Sequence, residues 1–269
     1  MDSKHTPTIL TIAGSDPSGG AGIQVDIKTI HALGGYALSA ITSLTAQNST
    51  GVIDSYVVPE KIFALQLEAL LDDVQIDAIK IGMLGSAQTI KALAKIVSKY
   101  NCKNIVIDPI IKSSSGKTLI TDEAISAMKQ TLFPLAKIIT PNIPEFERIF
   151  DIDTNGIDIN DLDSKKLLKK IKAEYILLKG GHSSDSAHST DHLISKDNIQ
   201  SFSSPRIQTD HTHGTGCILS SAIATNLAKG FCIEESIRLS KQFLYKQMQK
   251  GYPHLNYLKS EPKRALNIL

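Results

Sequence analysis

Residues 8–13 (TILTIA) form a short β-branched run that stops against Gly14, Pro17 and the paired glycines 19 and 20. Such a run reads as a buried strand entering a turn. Directly behind it, Ile23, Ile27, Ile30 and Leu33 stand three or four apart, the spacing of a helix packed on a sheet. Gly34 and Gly35 end that helix. The unit then recurs. Strand patterns occupy 36–46, 77–81, 104–108, 137–140 and 175–179, and helical patterns occupy 59–72, 87–100, 122–132, 144–150 and 164–172. A hairpin is predicted from 191–195 and 199–203 across a Lys-Asp-Asn turn, and two helices, near 216–228 and 233–248, follow it. Strands alternating with helices of this length demand βαβ crossovers. The predicted fold is therefore α/β, with a central, mostly parallel sheet covered by helices on both faces.

Composition narrows the class further. The chain has 269 residues, of which 42% are hydrophobic and 21% charged, a balance that excludes disorder and a disulfide scaffold. No internal repeat, linker or break in composition divides it, so one domain is expected over 1–269. Its core would span about 8–250, with a polar tail at 251–269 lying on the surface. A formal charge of +2 gives no footing for nucleic acid. No apolar run approaches the roughly 20 residues that span a bilayer, and the polar start is not a signal peptide. Three cysteines cannot all pair within the chain, which points to a reducing, cytoplasmic setting.

In parallel sheets ligands bind beyond the carboxyl ends of the strands, and the unusual residues collect there: Gly14-Ser15-Asp16, Thr45-Ala46-Gln47-Asn48, Gly82-Met83, Asp108-Pro109, Thr140-Pro141-Asn142 and Lys179-Gly180-Gly181. The sharpest local signal is His213-Gly214-Thr215-Gly216-Cys217 at a helix start. A Gly-Thr-Gly turn there aims backbone N–H groups at one spot, and the helix dipole adds positive potential, which suits a transferring phosphoryl group. The same field would lower the Cys217 thiol pKa. The bland reading is a helix cap with a merely buried cysteine. Lys179 either reaches a phosphate or snorkels from the sheet edge. Asp108 is a candidate Mg²⁺ ligand. Asn142 and Glu145, three apart, either orient metal-bound water or serve as ordinary helix-start residues.

Other chemistries lack their full pattern. The glycines at 19, 20 and 22 do not make G-x-G-x-x-G, and Gly116-Lys117-Thr118 lacks the P-loop glycine, because Ile111 stands in its place. No G-x-S-x-G elbow exists for a serine hydrolase. A thiol nucleophile at Cys217 beside His213 lacks an orienting carboxylate or amide that sequence can select. His182, His188 and His192, with Asp185 and Asp191, sit in a Ser/Asp-rich stretch expected to be a mobile, solvated loop rather than a metal site. His211 and His213 are expected to line the site without binding zinc.

Six segments together resemble the bacterial hydroxymethylpyrimidine/phosphomethylpyrimidine kinases of the ribokinase-like superfamily. They are TIAGSDPSGGAGIQVDIKTI at 11–30, SLTAQNSTGV at 43–52, KIGML at 80–84, TPNIPE at 140–145, LKGGH at 178–182 and THGTGC at 212–217. The resemblance runs from about 8 to 250. It implies a three-layer α/β/α kinase that acts as a homodimer and uses ATP and Mg²⁺. The reaction would phosphorylate 4-amino-5-hydroxymethyl-2-methylpyrimidine and then its monophosphate, in thiamine synthesis. By the same resemblance Gln47 bonds the pyrimidine, Met83 packs on its ring, and Gly14, Ala21, Asp26 and Ile110 belong to the substrate pocket. Gly214, Thr215 and Gly216 form the anion hole, Cys217 takes the place of the base, and Lys179 and Asn142 face the nucleotide. The family carries a lysine where this chain has Ser114, and Lys112, two residues earlier, is the candidate substitute. A pyridoxal kinase of the same superfamily and a non-catalytic ligand sensor are the competing readings.

Overall fold

In a computed structural model of the chain, residues 5–112, 118–182, 187–209, 212–251 and 266–268 are described. One nine-stranded sheet runs through them. Its strands are β1 (Thr8–Ser15), β2 (Tyr36–Asn48), β3 (Gly51–Val57), β4 (Ala78–Ile81), β5 (Ile105–Ile107), β6 (Ile138–Ile139), β7 (Tyr175–Leu178), β8 (His188–Ile194) and β9 (Ile199–Pro205). Their order is β3-β2-β1-β4-β5-β6-β7-β8-β9. From β2 to β7 every pairing is parallel, while β3 and the β8–β9 hairpin add antiparallel margins. The order reverses at β1, which lies between β2 and β4, so a crevice opens at the carboxyl end of this pair.

The helices are α1 (Gly22–Ala32), α2 (Glu60–Leu71), α3 (Ala87–Lys99), α4 (Asp122–Ala127), α5 (Ile143–Phe150), α6 (Ser164–Ile171), α7 (Thr215–Ala228) and α8 (Ile233–Lys250). They divide between the sheet's faces as the strand period of two requires. Leu10, Ile12, Ile79, Ile81, Ile105, Ile107 and Ile139 enter one core with Phe63 and Leu67 of α2 and the buried sides of α3 to α6. Their alternates Ile9, Ala78, Val106, Ile138 and Leu177 enter a second core with Ile30 of α1, Leu219 and Ile223 of α7, and Ile237 of α8. Each such isoleucine or leucine, nearly sealed from water, contributes on the order of 2 kcal/mol.

Three local expectations are corrected, and one strand had not been foreseen. The predicted helix at 122–132 is α-helical only to Ala127 and continues as a π-helical turn over Met128–Leu132. β3 carried no strand signal, because its side chains are mostly exposed and its sequence does not alternate cleanly. The stretch expected as a mobile loop contains the start of β8, which is paired on both sides, and its Asp191 is buried. Part of the tail expected on the surface is buried: Leu266 and Ile268 lie in a small apolar cluster with Val25, Cys217 and Ile218. Among the described residues no helix is long and apolar enough to cross a membrane.

Candidate active site

The carboxyl ends of the parallel strands open into a cleft of about 790 Å³, within the range that holds small-molecule ligands. Its floor begins at the loop after β1. Asp16 fixes that loop: its carboxylate accepts the N–H groups of Ser18, Gly20 and Ala21 and the Ser18 hydroxyl. His213 Nε2 lies 3.2 Å from the same carboxylate, which ties the loop to the start of α7. Burial opposes the ionised form of Asp16, but hydrogen bonds with His213 and Ser18 hold its carboxyl below the ordinary range. Gly22, at φ +57, opens α1 so close to the Gly14 carbonyl that a Cβ would sit 2.2 Å from that oxygen.

The turn at 214–216 meets this loop. Gly214 has φ +84, and a Cβ there would lie 1.9 Å from the Gly20 carbonyl oxygen, so no other residue fits. α7 begins at Thr215, whose N–H is taken by the Thr212 carbonyl at 3.3 Å, and no side chain caps its first turn, which lines the cleft. Opposite stand Asp108 and Lys179. A Cβ on Gly216 would be 3.4 Å from Asp108 Oδ2 and 3.4 Å from Lys179 Nζ. Lys179 Nζ donates to Asp108 Oδ1 at 2.7 Å. Burial disfavours the ammonium, and Asp108 and Glu145 more than offset this, so its pKa stays above the usual lysine value.

Asn142 and Glu145 form a capping box on α5. The Asn142 side chain accepts the Glu145 N–H at 2.9 Å, and Glu145 Oε2 accepts the Asn142 N–H at 2.8 Å. Both therefore hold the helix start that the bland reading gave them, while still facing the cleft. Burial pushes the Glu145 carboxyl up to about 7, Lys179 opposes the shift, and Asp108 adds to it. Asp108, ion-paired with Lys179, and Glu145 are both buried in the cleft wall, and carboxylate oxygens are the donors that suit Mg²⁺ beside nucleotide phosphates. Among the described residues no cluster of three or more His, Cys, Asp or Glu could hold a metal by itself.

The residues expected at the site come together with one exception. Gly14, Ala21, Gln47, Met83, Ile110, Lys112, Lys179 and the rest of the set line the same cleft as Gly214, Thr215, Gly216 and Cys217. Asp26 does not. It is fully buried on α1, bonded to Lys80, and takes no part in the cleft wall. The expectation for Cys217 is also overturned in its chemistry. The thiol lies at the helix start as expected, but burial pushes it up to about 11, which Lys80 only partly offsets. Desolvation of the charged form outweighs the helix field. Lys112 is exposed, and its backbone forms an isolated antiparallel bridge with Thr118; Ser114, Lys117, Asp185 and His211 lie outside the described residues.

Sequence reasoning missed the Asp16–His213 tie and a second buried pair in the cleft wall. Asp191 on β8 accepts Lys241 Nζ from α8 at 2.7 Å and the Gly180 N–H at 2.9 Å. The first had a signal: an Asp followed two residues on by Ser and then by glycines marks an Asx-type turn. The second had none, because 50 residues separate the partners.

The family model described as phosphomethylpyrimidine kinase matches residues 16–259. A thiamine biosynthesis bifunctional protein of Geobacter sulfurreducens is 42% identical over 250 residues; the match covers 91% of this chain and 50% of that protein, so the chain spans about half its length. A hydroxymethylpyrimidine/phosphomethylpyrimidine kinase of Haemophilus influenzae is 42% identical over 239 residues, covering 88% of each chain. Among solved structures, the pyridoxal kinase of Staphylococcus aureus in complex with AMP-PCP and pyridoxal superposes with a TM-score of 0.85 at 26% identity, over 98% of this chain and 94% of that one.

Proposed function

The chain belongs to the phosphomethylpyrimidine kinase family, and from that premise we propose that it moves the γ-phosphoryl group of ATP to 4-amino-5-hydroxymethyl-2-methylpyrimidine and then to the resulting monophosphate. The observation that carries this reading is the Gly214–Gly216 turn facing Lys179 and Asp108 across a gap that one methyl group would touch on both sides. A group passing through that gap meets backbone donors from one side and an ammonium from the other.

Each residue has a part that follows from its place. Gln47, on β2, presents its amide to the cleft beside Asn48 and reads the polar edge of the pyrimidine. Met83 follows β4, with its carbonyl pinned by the Thr42 hydroxyl at 2.6 Å, and lays its thioether against the ring. Gly14 leaves room beneath: a Cβ there would already touch Ser43 Oγ at 3.0 Å. The hydroxymethyl oxygen attacks the γ-phosphorus, the bond from that phosphorus to the β,γ-bridging oxygen breaks, and ADP leaves. The turn and Lys179 hold the charge spread over the equatorial oxygens. The hydroxyl proton goes to Cys217 when that thiol is ionised, a form burial makes scarce, and otherwise leaves on an oxygen of the transferred phosphoryl group. Electrostatic positioning therefore carries more of the rate than proton abstraction. Asp108 and Glu145 are the residues that would hold Mg²⁺, which when bound neutralises charge on the β- and γ-phosphates.

The exposed apolar side chains of the β2–β3 ribbon support a homodimer. Leu44 and Tyr56 stand opposite one another, and Ile53 and Val57 accompany them on the edge strand. An uncovered edge with this composition calls for a partner.

Steady-state turnover with ATP and Mg²⁺ against three acceptors tests the assignment. The pyrimidine alcohol and its monophosphate are expected to turn over, and pyridoxal to lag behind both. An enzyme idle on the two pyrimidines would sink the reading, and one that prefers pyridoxal would transfer it to that substrate.

A further inference from the structure

Directly beneath the cleft lies a charged pair that phosphoryl transfer does not touch. Asp26 of α1 and Lys80 of β4 are both fully buried, with Lys80 Nζ at 2.9 Å from Asp26 Oδ1 and 2.8 Å from Oδ2. The carboxylate also accepts the Thr11 hydroxyl of β1 at 2.6 Å and the Ser221 hydroxyl of α7 at 2.7 Å. Thr11 and Lys80 can meet there because the strand period turns both toward the α1 and α7 side, opposite Leu10, Ile12, Ile79 and Ile81.

The network joins four elements, and each one ends in a residue of the substrate site. β1 leads from Thr11 to Gly14. One turn of α1 separates Asp26 from Gly22, which packs on the Gly14 carbonyl. From Lys80 on β4 the chain passes Gly82, where a Cβ would stand 2.9 Å from Lys80 Nζ, to Met83. One turn of α7 separates Ser221 from Cys217, on the same helix face. The residues expected to face the nucleotide and metal, Asp108, Asn142 and Lys179, follow β5, β6 and β7 and hydrogen-bond to neither Asp26 nor Lys80.

We propose that Asp26 and Lys80 are positioning residues that lock the acceptor pocket to the phosphoryl-transfer turn, setting the distance from the bound alcohol to the incoming phosphorus without touching either. The geometry favours this over mere support of the fold. A buried ion pair adds little net stability compared with apolar residues of similar shape, yet here both carboxylate oxygens are spent on the four elements whose tips must agree. Burial disfavours the Lys80 ammonium, and the Asp26 and Asp108 carboxylates keep it charged all the same. A misplacement of about 1 Å at a reacting centre costs on the order of 10²-fold in rate.

The inference rests on the kinase reading, and three variants test it. Lys80→Met alone strands a buried carboxylate and should melt early. Lys80→Met combined with Asp26→Leu removes both charges, so its melting temperature should recover. That double variant is expected to keep the KM for ATP within about twofold, raise the acceptor KM, and lose about 10-fold or more in kcat. Ser221→Ala cuts only the tie to α7 and should move the same constants in the same direction, by about threefold. The rate of iodoacetamide alkylation of Cys217 in the ligand-free protein gives a readout independent of turnover, and Ser221→Ala, which leaves the Lys80 charge near the thiol in place, should change it as α7 loses its anchor. If the double variant does not fold, Ser221→Ala decides. A folded variant with wild-type constants and a wild-type alkylation rate would overturn the proposal. A wild-type protein inactive on the pyrimidine alcohol would instead remove the kinase reading and leave the alkylation rate to judge the coupling.

Discussion

A thiol at the mouth of a helix feels two opposed fields. The dipole of α7 stabilises a thiolate, while burial of Cys217 denies it water, and burial wins: the thiol lies at about 11. At neutral pH the group is therefore protonated in the ligand-free protein. Two expectations follow for this turn. Cys217→Ala should lower kcat by about 10-fold, below the roughly 10²-fold that a fully effective general base contributes at the least. Gly214→Ala should lower it by about 10²-fold or more, because it displaces the backbone donors that stabilise developing charge. That displacement is unavoidable: the new Cβ would collide with the Gly20 carbonyl oxygen in a backbone conformation at φ +84. Single-turnover rates of the two variants, measured with saturating ATP, check the ranking. Equal losses would return Cys217 to the leading part.

At the scale of elements, α5 joins stability to the site. Its capping box places Glu145 at the helix start and in the cleft at once, and burial sets its carboxyl at about 7 against an ordinary value of 4.5. A carboxyl raised on folding binds more protons in the native than in the unfolded chain, so its contribution falls as pH climbs from about 4.5 through 7. Glu145→Gln keeps an oxygen to accept the Asn142 N–H and removes that titration. Chemical denaturation of the ligand-free variant should show a flatter stability profile across this window and a gain at pH 8, together with weaker Mg²⁺-dependent activity. Most elements could be read from sequence, because β1, β4, β5 and β7 are apolar runs bounded by turn residues and the helices between them keep their spacing. β3 and the start of β8 could not be read, for a physical reason. A strand at a sheet margin buries little, so its sequence need not alternate, and Ser, Asp and His in β8 resemble a loop. The site was legible where glycines and charges stand at strand ends. It was not legible for Asp26, whose place depends on Lys80, 54 residues away.

For the whole molecule, the ribbon of β2 and β3 is both the sheet's free margin and the carrier of Gln47 and Asn48 in the cleft wall. Association through this ribbon would brace the segment that reads the substrate. Ile53→Lys, at a position 72% exposed, should leave the melting temperature of the monomer nearly unchanged, shift sedimentation toward a single chain, and raise the acceptor KM more than the ATP KM. A dimer that survives the substitution would direct the search to another face. The sorting of the sheet into two cores has a different consequence, for how such a chain can change length. In β1, odd-numbered Ile9 and Thr11 belong to one side and even-numbered Leu10 and Ile12 to the other. Adding or deleting one residue ahead of Thr11 would exchange the two sets, carry a hydroxyl into an all-hydrocarbon layer, and turn the Asp26 carboxylate toward leucine or isoleucine. Substitutions along β1 can be absorbed one at a time, but a change in its length reaches both cores and the cleft floor together. Lineages of this chain can therefore lengthen at their ribbon and loops, while this central strand keeps its count.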